Sequence, residues 1–283
     1  MSLIQANVFS RALLRNTTFN AIIPADKFSF DGKSLREPKP FKTLYLLHGI
    51  FGNYTDWVIY SRIVPWAQNK NLAVIMPSGD NHFYIDNEKT FENYGKYIGE
   101  ELVDLTRRMF KLSDKREDTY IGGLSMGGYG AVRNGLKYSD TFSHIISLSS
   151  AFTMDTINES TYDHPDITRN RDYFESIFGD LTRLAGSEND YKSLETRCLE
   201  SNSPIPRFYK ACGTEDFLIN ENRDYHNFLL NNGVDVTYEE GPGTHDWTFW
   251  DSYMEKALNW LPLEEESLGI FSGNVKKQNQ DTH

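Results

Sequence analysis

Apolar residues fall along the chain in short, nearly continuous blocks, separated by stretches with helical period. The blocks "TLYLLHG" (43–49), "LAVIMPS" (72–78), "TYIGGL" (119–124), "HIISLSS" (144–150) and "RFYKACG" (207–213) suit strands buried on both faces of a parallel sheet. A further strand is expected at "VDVTYEE" (234–240). Between them, "DWVIYSRIVPWAQNK" (56–70) reads as broken helix and "ENRDYHNFLLNNG" (221–233) as a helix closed by Gly233. "YGKYIGEELVDLTRRMF" (94–110) reads as a long amphipathic helix with Ile98, Leu102, Leu105 and Met109 three or four residues apart, and "FWDSYMEKALNWL" (249–261) as the last helix. Two strands with looser alternation, "LIQANVFSRA" and "TFNAIIPA", come first, followed by a polar, proline-bounded loop from Asp31 to Pro40. Strands alternating with helices predict the α/β class, with a mostly parallel sheet covered on both faces.

The rhythm breaks between Ala151 and Ser203, where no strand is legible and charged, Asn, Asp and Tyr residues are frequent. Short helices are expected at "YFESIF" and "YKSLETRCL". An insertion of this length after a sheet strand most often covers a site. The expected organisation is one domain over residues 1–263, with a cap insertion at about 152–203 and a polar tail at 264–283.

Composition narrows the partners. Acidic residues number 40 against 29 basic, a formal charge of −11. Such a surface repels phosphate backbones, so no nucleic-acid partner is expected, and neutral small molecules suit it best. No apolar stretch is long enough for a membrane span, and the first residues lack the apolar block of a signal peptide. Two cysteines, Cys198 and Cys212, make a disulfide framework implausible. A cytoplasmic location without membrane attachment is the expectation. No Cys/His cluster has ligand spacing, so neither metal nor cofactor is expected.

The chemistry is signalled by "GGLSMGGYGA" (122–131), glycine-rich yet set between a strand and a helix. Ser125 lies in the G-x-S-x-G of Gly123 to Gly127, the pattern of a nucleophile elbow. At such a turn the residues two before and two after the serine must be small, and Gly128 and Gly130 let the helix approach the sheet. A serine hydroxyl needs a base, so a carboxylate and then a histidine should follow in the chain. Among seven histidines, His245 in "EEGPGTHDWTFW" follows a strand and precedes the last helix, where such a base belongs. "RFYKACGTEDFLI" offers both Glu215 and Asp216 just past its strand; Asp216, next to "FLI", is preferred. Oxyanion donors are expected from the N–H of Met126 and from the loop after "LYLLHG", with Ile50 first and Phe51 next. His48 is read as a brace of that loop.

Together, "LLHG…DW", "GLSMGGYGA", "CGTED" and "GTHDW" resemble the α/β-hydrolase esterases of the esterase D and tributyrin esterase group, relatives of feruloyl and acetyl-xylan esterases. "FYIDN" with the 94–110 helix is similar to that group's segment before the serine. The resemblance runs from about Phe41 to Leu261, and the segment from Thr153 to Asn202 departs from it. It implies the α/β-hydrolase fold, a catalytic set of Ser125, Asp216 and His245, and oxyanion donors at Ile50 and Met126.

The expected activity is that of a serine carboxylesterase cleaving short-chain acyl esters through an acyl-enzyme on Ser125. Feruloyl or acetyl-xylan ester hydrolysis is the alternative, encouraged by Phe51, Trp57, Tyr84 and Trp247 near the motif loops as candidate substrate contacts. S-formylglutathione hydrolysis is a third, for which Arg169 and Arg171 would have to supply a basic patch. An acyltransferase and a non-catalytic scaffold are the remaining readings, and a homo-oligomer is expected from the resemblance alone.

Overall fold

A computed structural model describes residues 2–26 and 39–263. The expected polar tail at 264–283 and most of the loop from Asp31 to Pro40 lie outside the described residues. Eight strands form one sheet: β1 (Ser2–Ser10), β2 (Arg15–Ile23), β3 (Lys42–Leu47), β4 (Leu72–Pro77), β5 (Thr119–Leu124), β6 (His144–Leu148), β7 (Arg207–Gly213) and β8 (Val236–Gly241). Their spatial order is β1-β2-β4-β3-β5-β6-β7-β8. β1 and β2 pair antiparallel, as do β2 and β4, and all other pairs are parallel. This is the mostly parallel α/β sheet expected.

The apolar blocks work as strands because each alternates between two cores. Tyr45, Leu47, Ala73, Ile75, Ile121 and Ile145 enter the cluster on one face. Leu44, Leu46, Val74, Met76, Tyr120 and Ile146 enter the other. β1 is an edge strand that buries one side, through Ile4, Ala6 and Val8, and leaves Leu3 and Phe9 exposed. The opposite edge, β8, carries Glu239 and Glu240, paired with Lys256 and Arg223, charges that blunt edge pairing.

The helices are α1 (Asp56–Tyr60), α2 (Ile63–Asn69), α3 (Tyr94–Lys96), α4 (Leu102–Met109), α5 (Met126–Lys137), α6 (Met154–Glu159), α7 (Arg171–Phe178), α8 (Tyr191–Glu200), α9 (Ile219–Asn231) and α10 (Trp247–Trp260). The long helix expected over 94–110 is interrupted by a π turn, Tyr97–Glu101. Ile98 and Leu102 are buried, whereas Met109, the last residue of α4, is exposed. Helix α5, after β5, brings its glycines close to other elements: Gly127 to the end of β3, Gly130 to Tyr84 and Gly135 to Ile145 on β6. α8 closes over α5 where Tyr129 Oη donates to the Asn189 carbonyl at 2.7 Å. No helix among the described residues is long and apolar enough to cross a membrane.

One buried histidine makes the fold pH-sensitive. His144, at the end of the sheet where β6 begins, sits edge-on to Tyr120 and Trp260 and hydrogen-bonds Ser143 Oγ through Nδ1 at 2.8 Å. Burial, reinforced by Arg207, Arg116 and Lys42, pushes its pKa down to about 4. The unfolded chain, titrating near 6.5, therefore binds a proton that the folded chain refuses. This contribution is complete well above pH 6.5 and is lost as pH falls from 6.5 through 4, to the extent of about 2–3 kcal/mol at pH 4.5. Denaturant unfolding of wild type and His144→Asn at pH 7.5 and 4.5 checks it. The asparagine variant should show the smaller acid loss, and equal losses would contradict the assignment.

Candidate active site

Register brings the C-terminal ends of the central strands together: Leu47 lies beside Gly123, Leu124 beside Leu148, and Gly213 beside Gly241. The loops that leave these ends carry the sequence motifs. Ser125 is the N-cap of α5 at φ 53°, ψ −121°, a conformation L-residues avoid at a cost of about 1–3 kcal/mol. The surroundings hold it there. Ser125 N–H donates to the Leu148 carbonyl at 2.9 Å, and the Ser125 carbonyl accepts from Gly128, Tyr129 and Ala151 N–H at 3.0–3.1 Å. The glycines allow the close approach. A Cβ on Gly127 would lie 2.5 Å from the His48 carbonyl oxygen, and one on Gly123 2.4 Å from that of Gly127.

Two loops meet the serine. The turn after β7 supplies Asp216, and the loop after β8 supplies His245. His245 Nδ1 lies 2.9 Å from Asp216 Oδ2, and its Nε2 lies 3.0 Å from Ser125 Oγ. Asp216 is 3% exposed. Burial alone would raise its pKa, but the hydrogen bond and charge of His245, with the Leu218 N–H at 2.9 Å from Oδ1, hold the carboxyl below its usual range. An ionised carboxylate only accepts, so Nδ1 carries the ring proton and Nε2 is left to accept from the hydroxyl. Glu215 points elsewhere. It is exposed and its Oε2 accepts the Gly243 N–H at 2.6 Å, which ties the two loops together.

Neither the Ile50 nor the Met126 N–H has an acceptor among the described residues. Phe51 N–H, by contrast, already donates to Asn81 Oδ1 at 2.8 Å. A cavity of about 370 Å³ opens beside Ser125 and His245. It is lined by the Gly49–Phe51 turn and Met126, by Phe83, by Thr168, Tyr173 and Phe174 from the insertion, and by Phe217, Trp247 and Trp250. A hydroxyl linked through imidazole to a buried carboxylate, beside two free N–H groups and an apolar cavity, is equipped for acyl transfer.

The model of the family described as "Putative esterase" matches residues 10–261. The chain belongs to that esterase family. It is a serine carboxylesterase. An acetyl esterase of Caldicellulosiruptor saccharolyticus is 46% identical over 261 residues, 92% of this chain and 98% of that protein. Among solved structures, the fluorophosphonate-binding serine hydrolase FphF of Staphylococcus aureus superposes with a TM-score of 0.79 at 31% identity, covering 92% of this chain and 98% of that one. The S-formylglutathione hydrolase FrmB of the same organism gives 0.78 at 32%, with the same coverage.

Of the esterase's sequence-predicted contacts, Ile50, Met126, Phe51 and Trp247 line the cavity. Trp57 and Tyr84 do not, and the reading of them as substrate contacts is corrected. Trp57 is 1% exposed and its Nε1–H donates to the Leu47 carbonyl at 3.0 Å. Tyr84 is fully buried, with its hydroxyl donating to the His48 carbonyl at 3.0 Å. These rings are held behind the end of β3 and the turn that follows it. His48 is the brace expected, accepting the Gly79 N–H at Nε2 (2.8 Å). Neither Arg169 nor Arg171 lines the cavity; Arg171 pairs with Glu175 at 2.9 Å. Sequence reasoning missed Phe217, 73% exposed, whose ring is tilted 48° to that of His245 with centroids 4.7 Å apart. It also missed Tyr173 and Phe174, whose only signal was the helical "YFESIF" in the insertion. Among the described residues no group of three His, Cys, Asp or Glu side chains could hold a metal.

Proposed function

We propose that the esterase hydrolyses short-chain acyl esters through an acyl-enzyme on Ser125. The observation that carries this reading is the continuous hydrogen-bonded line from Asp216 through His245 to Ser125 Oγ. In the acylation step His245 Nε2 takes the hydroxyl proton as Oγ attacks the ester carbonyl. Asp216 keeps the ring in the required tautomer and stabilises the imidazolium. The N–H groups of Ile50 and Met126 bind the oxyanion. His245 then returns the proton to the leaving alcohol. A water molecule, deprotonated by the same nitrogen, then attacks the acyl carbon; the bond to Ser125 Oγ breaks, the acid leaves, and Nε2 returns the proton to Oγ.

A small acyl group is favoured by the cavity, which Tyr173 and Phe174 limit on the side of the insertion, and by the likeness to an acetyl esterase. Residues 152–203 act as the cap of a single domain spanning 1–263. An anionic leaving group such as that of S-formylglutathione would find no arginine in the lining and would meet the carboxylate of Asp56. We further place the protein in the cytoplasm, where the buried free thiols of Cys198 and Cys212 stay reduced, with a small-molecule ester as its partner and a homo-oligomeric state.

The test is kcat/KM for p-nitrophenyl acetate, butyrate and octanoate beside methyl ferulate. Acetate and butyrate should exceed octanoate by about tenfold or more, since single methylenes at a pocket end change rates by such factors. A preference for octanoate would overturn the short-chain reading. A preference for methyl ferulate would turn it to aryl esters, which the aromatic lining could also hold.

A further inference from the structure

The Gly49–Gly52 turn contains a conformational problem. Gly52 N–H closes it on the Gly49 carbonyl at 3.2 Å, and its third residue, Phe51, has φ 67°. That left-handed position is where turns of this form take glycine, and an L side chain there costs about 1–2 kcal/mol. Flipping the Ile50–Phe51 peptide would relieve the strain by converting the turn to the commoner form. The proposed oxyanion donor, the Ile50 N–H, lies on the preceding peptide of the same turn, so it keeps its place only while the turn as a whole stays seated.

We propose that Asn81 is the positioning residue that holds this turn in its productive form. The proposal rests on the oxyanion role of Ile50 argued above. Asn81 Oδ1 accepts the Phe51 N–H at 2.8 Å, a bond that the flipped peptide could not make. The Gly49–Ile50 peptide is fixed from the other side, since the Gly49 carbonyl also contacts His48 Nδ1 at 2.7 Å. A planar trans peptide then aims the Ile50 N–H opposite to that carbonyl. Asn81 is itself seated from the insertion: its carbonyl accepts the hydroxyl of Tyr173 at 2.8 Å, and the Tyr173 ring lines the cavity. The flanking Gly79 N–H and Tyr84 hydroxyl complete the attachment of the 79–84 segment to His48. The oxyanion turn is thereby connected through one asparagine to the wall that encloses the acyl group.

Asn81→Leu and Asn81→Asp in the full-length enzyme test this, with p-nitrophenyl acetate kinetics and inhibition by a short-chain trifluoromethyl ketone, which forms a tetrahedral oxyanion adduct. Asn81→Leu should lower kcat by about 10- to 100-fold with KM nearly unchanged, and weaken the ketone by a similar factor. Asn81→Asp keeps an acceptor oxygen and should recover most of the loss. Asn81→Ala carries the same expectation as the leucine variant and replaces it if that variant does not fold. The inference is overturned if removing the acceptor leaves kcat at the wild-type value, or if Asn81→Asp is as impaired as Asn81→Leu. Ser125→Ala, run beside these, separates the two layers. A dead serine variant with an unaffected Asn81→Leu refutes only the role of Asn81, whereas an active serine variant refutes the site itself.

Discussion

Ser125→Ala is expected to lower kcat for p-nitrophenyl acetate by about a million-fold, leaving only what the cavity and the proposed oxyanion donors contribute. The size of the effect follows from the geometry. Ser125 Oγ is 3.0 Å from His245 Nε2, and the turn that presents it is held by four backbone hydrogen bonds to residues on β6, α5 and the segment after β6. Alanine removes the attacking oxygen and leaves the turn intact, so the variant should keep its unfolding midpoint. A comparable loss accompanied by a collapse of stability would point to misfolding. Retention of the wild-type rate would mean that another group attacks the ester.

Asp216→Asn should cost about 10⁴-fold in kcat. An amide NH₂ in place of Oδ2 would donate to His245 Nδ1, moving the ring proton to Nε2 and leaving no acceptor for the serine hydroxyl. The neighbouring substitution is the control. Glu215→Gln keeps an oxygen able to accept the Gly243 N–H and lies on the surface, where such changes alter rates or stability by about twofold. Steady-state kinetics on the pair decide between adjacent carboxylates. Equal losses at both positions would contradict the assignment of Asp216 as the group that orients the ring.

The sheet was legible because its central strands are buried on both faces, and that requirement writes unbroken apolar runs such as "LYLL" and "LAVIM" into the sequence. The serine, the histidine and the carboxylate pair were legible because the elbow imposes small residues around Ser125 and a chain order on its partners. What failed was inference about direction. Trp57 and Tyr84 stand near the motif loops, but nearness in sequence does not tell whether a ring faces the cavity or the core, and both face the core. The π turn at Tyr97–Glu101 leaves the spacing of Ile98, Leu102 and Leu105 looking like ordinary helix. Tyr173 and Phe174 belong to an insertion of short helices without sheet pairing, where no periodicity reports which face meets the site. Asn81 lies in a turn between β4 and α3, and its importance comes from one hydrogen bond to a backbone group that no sequence pattern encodes.

The central claim is that the Ser125 hydroxyl is activated by His245. Incubation with a fluorophosphonate, followed by intact-mass and peptide mapping of wild type and His245→Ala, tests it most directly. One adduct per wild-type chain is expected, on Ser125, with at most trace labelling of the histidine variant, since an unactivated serine is a poor nucleophile. An adduct on another residue, or equal labelling without His245, would contradict it.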